Sequence, residues 1–214
     1  AHVFCRPSQV KEEFMKIWDI VHEFYGAFGF ELKIRLSLHD PAHPENYLGD
    51  TAQWESAENA LREIAIEKNA KTTDGIGEAA FYGPKMDFMA NDAIGREWQV
   101  ATIQLDMVQP ERFELKCINE KGEKEGVIMI HAAIMGSIER FLAIYIEHTS
   151  GNFPLWLAPE QIRVVPVSDI HNEYAKQVHA ELKGIGIRSS LDDSNDSMGK
   201  KIHNEKKDRL PYFV

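Results

Sequence analysis

Apolar positions recur along this chain in two periods, and the switches between them divide it into elements. Residues 8–28 follow a helical period, with Ser8 where a cap belongs, Glu12 and Glu13 at the positive N-terminal end, and Gly26 near the close. Residues 34–38, Ile-Arg-Leu-Ser-Leu, alternate and predict a half-buried strand. The following HDPAHPENYLGD is loop-like in composition. Residues 51–68 then place Trp54, Ala57, Ala60, Leu61 and Ile64 on one face of a second helix.

A β-rich block comes next. Residues 79–88, 98–107, 113–118 and 127–130 read as strands joined by short turns, which points to an antiparallel meander and away from a doubly wound parallel sheet. The segment MIHAAIMGSIERF, residues 129–141, predicts a helix from about Ala132 packed on that sheet. On such a helix Ala133, Gly136, Ser137 and Arg140 fall at i, i+3, i+4 and i+7, while Ile134, Ile138, Phe141, Leu142 and Tyr145 face a core. The small-residue stripe would let a flat ligand reach the backbone, with Arg140 on a phosphate or a base. Close helix–sheet packing, with Arg140 in a surface ion pair, accounts for the same residues.

Gly, Pro and polar residues interrupt the periodicity over residues 148–161, where a domain boundary is expected. Beyond it the pattern becomes strand 162–167, helix 172–183, strand 187–191 and a helix around Lys200. That rhythm implies a small parallel or mixed α/β unit. The final LPYFV reads as the start of another buried strand without a partner, so this unit is expected to be partial. The expected division is 1–155 and 156–214.

Composition excludes several classes. No apolar run approaches the roughly 18 residues of a membrane span, and the first residues lack the regions of a signal peptide. Two cysteines, Cys5 and Cys117, form no pair motif, so a reducing compartment is expected. A net charge of −10 argues against a protein that coats nucleic acid nonspecifically. The acid excess lies before residue 155, with 15 basic against 25 acidic residues; from there on the counts are nine and nine. Within the balanced part, GKKIHNEKKDR carries five basic residues against two acidic, either an RNA-facing patch or a solvated helix face.

Three places could carry chemistry. In GEAAFYGPKMDF, Gly83-Pro84 forces a kink that would present Tyr82 and Lys85 near a sheet surface, or is a simple hairpin irregularity. In EWQVATIQLDM, Thr102 and Gln104 share a face opposite Ile103 and Leu105. Buried without partners they would cost about 1–3 kcal/mol each, so a ligand, water or a neighbour must meet them. Gln99 sits at an odd offset from Thr102 and would join that face only through a bulge. Among nine histidines, His39 and His43 are separated by proline, and nothing in the spacing of His2 and His131 joins them.

Taken together, the strings AHVFC, GEAAFYGPKMDF, WQVATIQLD, HAAIMGSIERF, FPLWLAP and, more loosely, MGKKIHNEKKDRLPYFV resemble the threonyl-tRNA synthetases, a family of class II aminoacyl-tRNA synthetases, over essentially the whole chain. The resemblance implies an α+β fold: the larger part of the class II antiparallel sheet flanked by helices, then part of a small α/β anticodon-binding domain. It implies ligation of L-threonine to tRNA(Thr) through threonyl-adenylate, with Mg²⁺ and ATP, in a cytoplasmic homodimer with no membrane attachment. Arg140 would bind the ATP phosphates, with Gln99 and Thr102 lining the adenylate pocket and Lys85 beside it. Tyr82, Gln104 and Ser137 would meet threonine, and His2 and His131 would be two of three Zn²⁺ ligands. Lys200 and Lys201 would face tRNA. A non-catalytic RNA-binding or regulatory paralogue, or another class II synthetase, are the alternatives. The third zinc ligand (a cysteine), motif 1 and most of motif 2 with its arginine are not among these residues, so the chain alone is expected not to aminoacylate. Ala132 and His203 stand where the family often has arginine, and Val100-Ala101 where it often has Cys-Gly.

Overall fold

Residues 34–38 form a strand because every second side chain has an apolar layer to enter. Ile34 and Leu36 are buried on one face, while Arg35 and Ser37 turn to the other. The computed structural model describes all of residues 1–214, divided into two units, 1–143 and 144–214. No helix is long and apolar enough to cross a membrane.

The first unit contains β1 (His2–Cys5), α1 (Val10–Ala27), β2 (Lys33–Leu38), α2 (Thr51–Glu67), β3 (Thr72–Ile76), β4 (Lys85–Asn91), β5 (Glu97–Asp106), α3 (Gln109–Arg112), β6 (Lys116–Ile118), β7 (Lys124–Gly126) and β8 (Ile128–Ala133), with the start of α4 (Ile138–Thr149). Six strands make one sheet in the order β1-β8-β5-β4-β2-β3, antiparallel except for the parallel β2–β3 pair; β6 and β7 form a separate hairpin. Along its apolar face Ile103, Leu105, Met86, Phe88, Leu36 and Ile130 are buried. Helix α1 brings Phe14, Ile17, Trp18, Val21 and Tyr25 into the same core. Each such side chain contributes about 1.5–3 kcal/mol by leaving water.

The second unit holds β9 (Ile162–Val164), α5 (Asn172–Gly184), β10 (Ser189–Leu191), α6 (Met198–Lys207) and β11 (Tyr212–Phe213). Its sheet, ordered β10-β9-β11, is wholly parallel. The α/β class expected from the pattern is the one observed in both units.

Several expectations are corrected. Ser8 does not cap α1; residues 7–9 form a 3-10 turn in which the Gln9 side chain accepts from the Arg6 backbone amide. Residues 79–84 hold only an isolated Ala80–Gly83 bridge, and the strand itself begins at Lys85. Phe113 ends the short α3 and is exposed, so the strand expected from 113 starts at Lys116. β3, with its polar sequence TTDGI, was not expected, and the sheet order is not a simple meander. The C-terminal strand does find a partner, since Tyr212 pairs with Ile162 and Phe213 with Arg163, and its side chains are exposed.

The largest correction concerns residues 132–141. Ala132 and Ala133 are strand residues opposite Ile103 and Thr102, and the helix starts at Ile138. Gly136 between them has φ +72°, which a right-handed helix excludes. Ala133 and Arg140 therefore share no helix face. Phe141 and Tyr145 are buried as expected, but Ile138 and Leu142 are 58% and 40% exposed.

Candidate functional site

One row of polar side chains runs across five strands. His2 stands opposite His131, His131 opposite Gln104, Gln104 opposite Lys85, and Lys85 opposite Ser37. Directly paired residues project from the same side of a sheet, so these five share the face that α1 leaves uncovered. The adjoining row on that face is Ala133, Thr102, Asp87 and Arg35.

The fold thus joins the two histidines that spacing leaves apart, with ring centroids 4.8 Å from each other. Tyr82 flanks His131 with its ring centroid at 5.0 Å, and its hydroxyl donates to Gln104 Oε1. Burial, with the nearby Asp106 carboxylate, pushes the Tyr82 hydroxyl above its ordinary pKa and keeps it a donor. The Gly83-Pro84 kink delivers Tyr82 there, and it is no simple hairpin irregularity. A β-carbon on Gly83 would lie 1.8 Å from the Leu105 carbonyl oxygen, so only glycine lets the two backbones meet.

Gln99 reaches the polar face through a bulge. Phe88 pairs with Ala101 but Met89 pairs with Gln99, leaving Val100 as the extra residue. The Val100 carbonyl accepts the Tyr25 hydroxyl at 2.7 Å, and Gly136 passes close beside it. Ser137 caps the first turn of α4, its Oγ accepting the Arg140 amide at 3.2 Å. Arg140 is exposed on that turn, and its guanidinium makes no hydrogen bond or ion pair. Ser137 and Arg140 come together here as the start of a helix, in place of the stripe expected along one.

Two carboxylates organise the face, and the sequence reading singled out neither. Asp87, fully buried, accepts from Ser37 Oγ at 2.7 Å, Lys85 Nζ at 2.9 Å, Gln99 Nε2 at 2.9 Å and Arg35 Nη2 at 3.1 Å. Burial opposes its ionisation, but the Lys85 ammonium and the Ser37 hydroxyl outweigh that and hold the carboxyl below the usual carboxylate range. Thr102, opposite Asp87, turns its buried hydroxyl toward that carboxylate and favours its ionised form further, while Arg35 Nε is buried without a hydrogen bond. Asp106, also fully buried, accepts from His131 Nε2 at 2.9 Å, Gln109 Nε2 at 2.8 Å and the Val108 and Gln109 amides at 3.2 and 2.9 Å. The available signal was the period itself: Asp87 within β4 and Asp106 at the end of β5 both fall on positions that face away from the apolar core.

The donor set on this face fits zinc in kind. His2 and His131 offer two imidazoles, and the carboxylate behind His131 is the usual second partner of a metal-bound histidine. In number they make half a tetrahedral set, and no group of three or more histidine, cysteine, aspartate or glutamate side chains closes on one point.

In the second unit Lys200 is exposed and pairs with Asp196 at 2.8 Å. Lys201 is corrected: it is only 4% exposed, and its ammonium donates to the Asp192 carbonyl at 3.0 Å, away from any surface RNA. Arg163 binds Glu160, Glu205 and Asp208 and ties β9 to α6.

Comparison with known proteins gives this geometry its context. Residues 1–149 match the family model of the tRNA synthetase class II core domain (G, H, P, S and T), and residues 161–214 match the anticodon binding domain. The threonine–tRNA ligase of Phocaeicola vulgatus is 47% identical over 215 residues, covering 100% of this chain and 33% of the relative. That of Porphyromonas gingivalis is 48% identical with the same coverage. The chain thus spans about a third of the length of the curated relatives it matches. The crystal structure of the RNA binding domain of threonyl-tRNA synthetase from Cryptosporidium parvum Iowa II superposes with a TM-score of 0.91 at 38% identity, over 99% of this chain and 52% of that one. With its core domain matched over most of its length, the chain belongs to the class II tRNA synthetases.

Proposed function

We propose that this chain carries the amino-acid and ATP pockets of a threonine–tRNA ligase, together with part of the domain that meets tRNA(Thr). The observation that supports it best is the row His2, His131, Gln104 and Lys85, with Tyr82 seated on His131.

In this reading Tyr82, Gln104 and Ser137 bind L-threonine. The Tyr82–Gln104 hydrogen bond presets both groups, so little ordering remains when substrate arrives. His2 and His131 would hold Zn²⁺, which when bound would supply a Lewis acid for the amino and hydroxyl groups of threonine. A site that uses the hydroxyl in this way rejects valine, because its polar partners would be left unpaired. Gln99 and Thr102 line the adenylate pocket, on the same face as Gln104 and Lys85. Arg140, unpaired at the start of α4, neutralises the ATP phosphates alongside Mg²⁺. The reaction joins the threonine carboxylate to the α-phosphate, and positioning and charge neutralisation carry it without a protein nucleophile. The protein acts as a cytoplasmic homodimer.

The test is amino-acid-dependent ATP–pyrophosphate exchange by the protein that carries this sequence, with threonine, serine and valine. Exchange with threonine well above valine, lost in His131→Ala, is expected. A folded, zinc-loaded protein that exchanges with no amino acid would overturn the reading in favour of a non-catalytic paralogue.

A further inference from the structure

His131 contacts three side chains, of which only Asp106 makes a hydrogen bond to a ring nitrogen. Asp106 is buried at the end of β5, and each of its oxygens is committed twice. Oδ1 accepts the Val108 and Gln109 backbone amides; Oδ2 accepts Gln109 Nε2 and faces His131 Nε2. A carboxylate offers lone pairs only, so the proton in the 2.9 Å contact must belong to the imidazole. The neutral ring is then the Nε2–H tautomer, and Nδ1 carries the free lone pair. Within the chain nothing donates to Nδ1.

We infer that Asp106 is a positioning residue of the amino-acid pocket: it locks His131 as the Nε2–H tautomer and keeps Nδ1 as the nitrogen that serves a ligand. The inference deepens the functional reading above, since the ligand it prepares for is a cation or a substrate donor group. It also explains why a buried carboxylate ends a strand whose other face is apolar. The two backbone amides fix the carboxylate, and the carboxylate fixes the ring.

The isosteric variant gives a sharp expectation. In Asp106→Asn the carboxamide oxygen stays with the Val108 and Gln109 amides, which can only donate. The new NH₂ then meets His131 Nε2, which must become an acceptor, and the proton moves to Nδ1.

The test is ¹⁵N spectroscopy of histidine-labelled, metal-free chain, which reads the proton position on each ring. His131 is expected as a single Nε2–H tautomer, while the exposed His2, with no carboxylate partner, shows a solvent-averaged mixture. In Asp106→Asn, His131 is expected to switch to Nδ1–H, and affinity for zinc ion alone to fall about tenfold to hundredfold. A His131 spectrum matching the His2 mixture, or an Asp106→Asn protein that keeps both tautomer and zinc affinity, would overturn the inference. If the variant fails to fold, the contrast between His131 and His2 in the unaltered chain still decides. Absent threonine-dependent exchange beside a locked His131 would count against the functional reading and leave this one standing.

Discussion

The hydroxyl of Tyr25 donates to the carbonyl of Val100 at 2.7 Å, tying a residue of α1 to the one bulged position of β5. Tyr25 is fully buried, and burial alone raises its pKa well above the ordinary value, so it remains a donor throughout the accessible pH range. Tyr25→Phe leaves the bulge carbonyl without this partner and should cost about 1–3 kcal/mol. Denaturant midpoints would measure it. Because the bulge turns Gln99 toward the polar face, the same variant should weaken ATP binding at temperatures where it is folded.

Gly83→Ala tests the close approach of two backbones. Its β-carbon would meet the Leu105 carbonyl oxygen at 1.8 Å, which no rotamer change relieves. A cost of about 3 kcal/mol, at the upper end of overpacking effects, is expected from thermal unfolding. An alanine variant as stable as the parent would show that the kink at residues 83–84 is not fixed by this contact.

Acid should release the Asp87 cluster. Its folded pKa lies below the unfolded value near 3.9, so its stabilisation is fully present above about pH 4. It is lost as pH falls through the depressed folded value. Asp87→Asn should lower stability at pH 7, because Lys85 and Arg35 then face a neutral group. It should also flatten the stability profile below pH 4. Chemical unfolding at pH 7, 4 and 2.5 would read both effects.

Arg140 separates chemistry from stability. It is exposed and unpaired, so Arg140→Ala should leave the melting temperature within the range of ordinary surface substitutions, about 0.5 kcal/mol. Pyrophosphate exchange should fall by about 10²–10³-fold, the usual loss for one preorganised charge-stabilising group. A parallel fall in stability and exchange would point to a structural role.

The sequence made some of this legible and concealed the rest for identifiable reasons. Period-2 alternation exposed β2 and β5 and put Thr102 with Gln104. The bulge needed by Gln99 followed from parity alone. Residues 132–133 misled because alanine favours helices, whereas here small side chains are what β5 and the open face accept. β3 was missed because TTDGI has no apolar alternation, and its strand form rests on parallel pairing with β2. Lys201 read as part of a charged face, and only the fold shows its ammonium turned onto backbone carbonyls. Asp106 and Asp87 matter through partners that tertiary structure supplies.

The cross-strand row has a consequence for how function is acquired. His2 and His131 pair across most of the first unit, and the side chains between them come from β5, β4 and β2. Long-range pairings of this kind form slowly, because chain entropy is lost before contacts repay it. The row is complete only when β1 pairs with β8, because that pairing alone brings His2 beside His131.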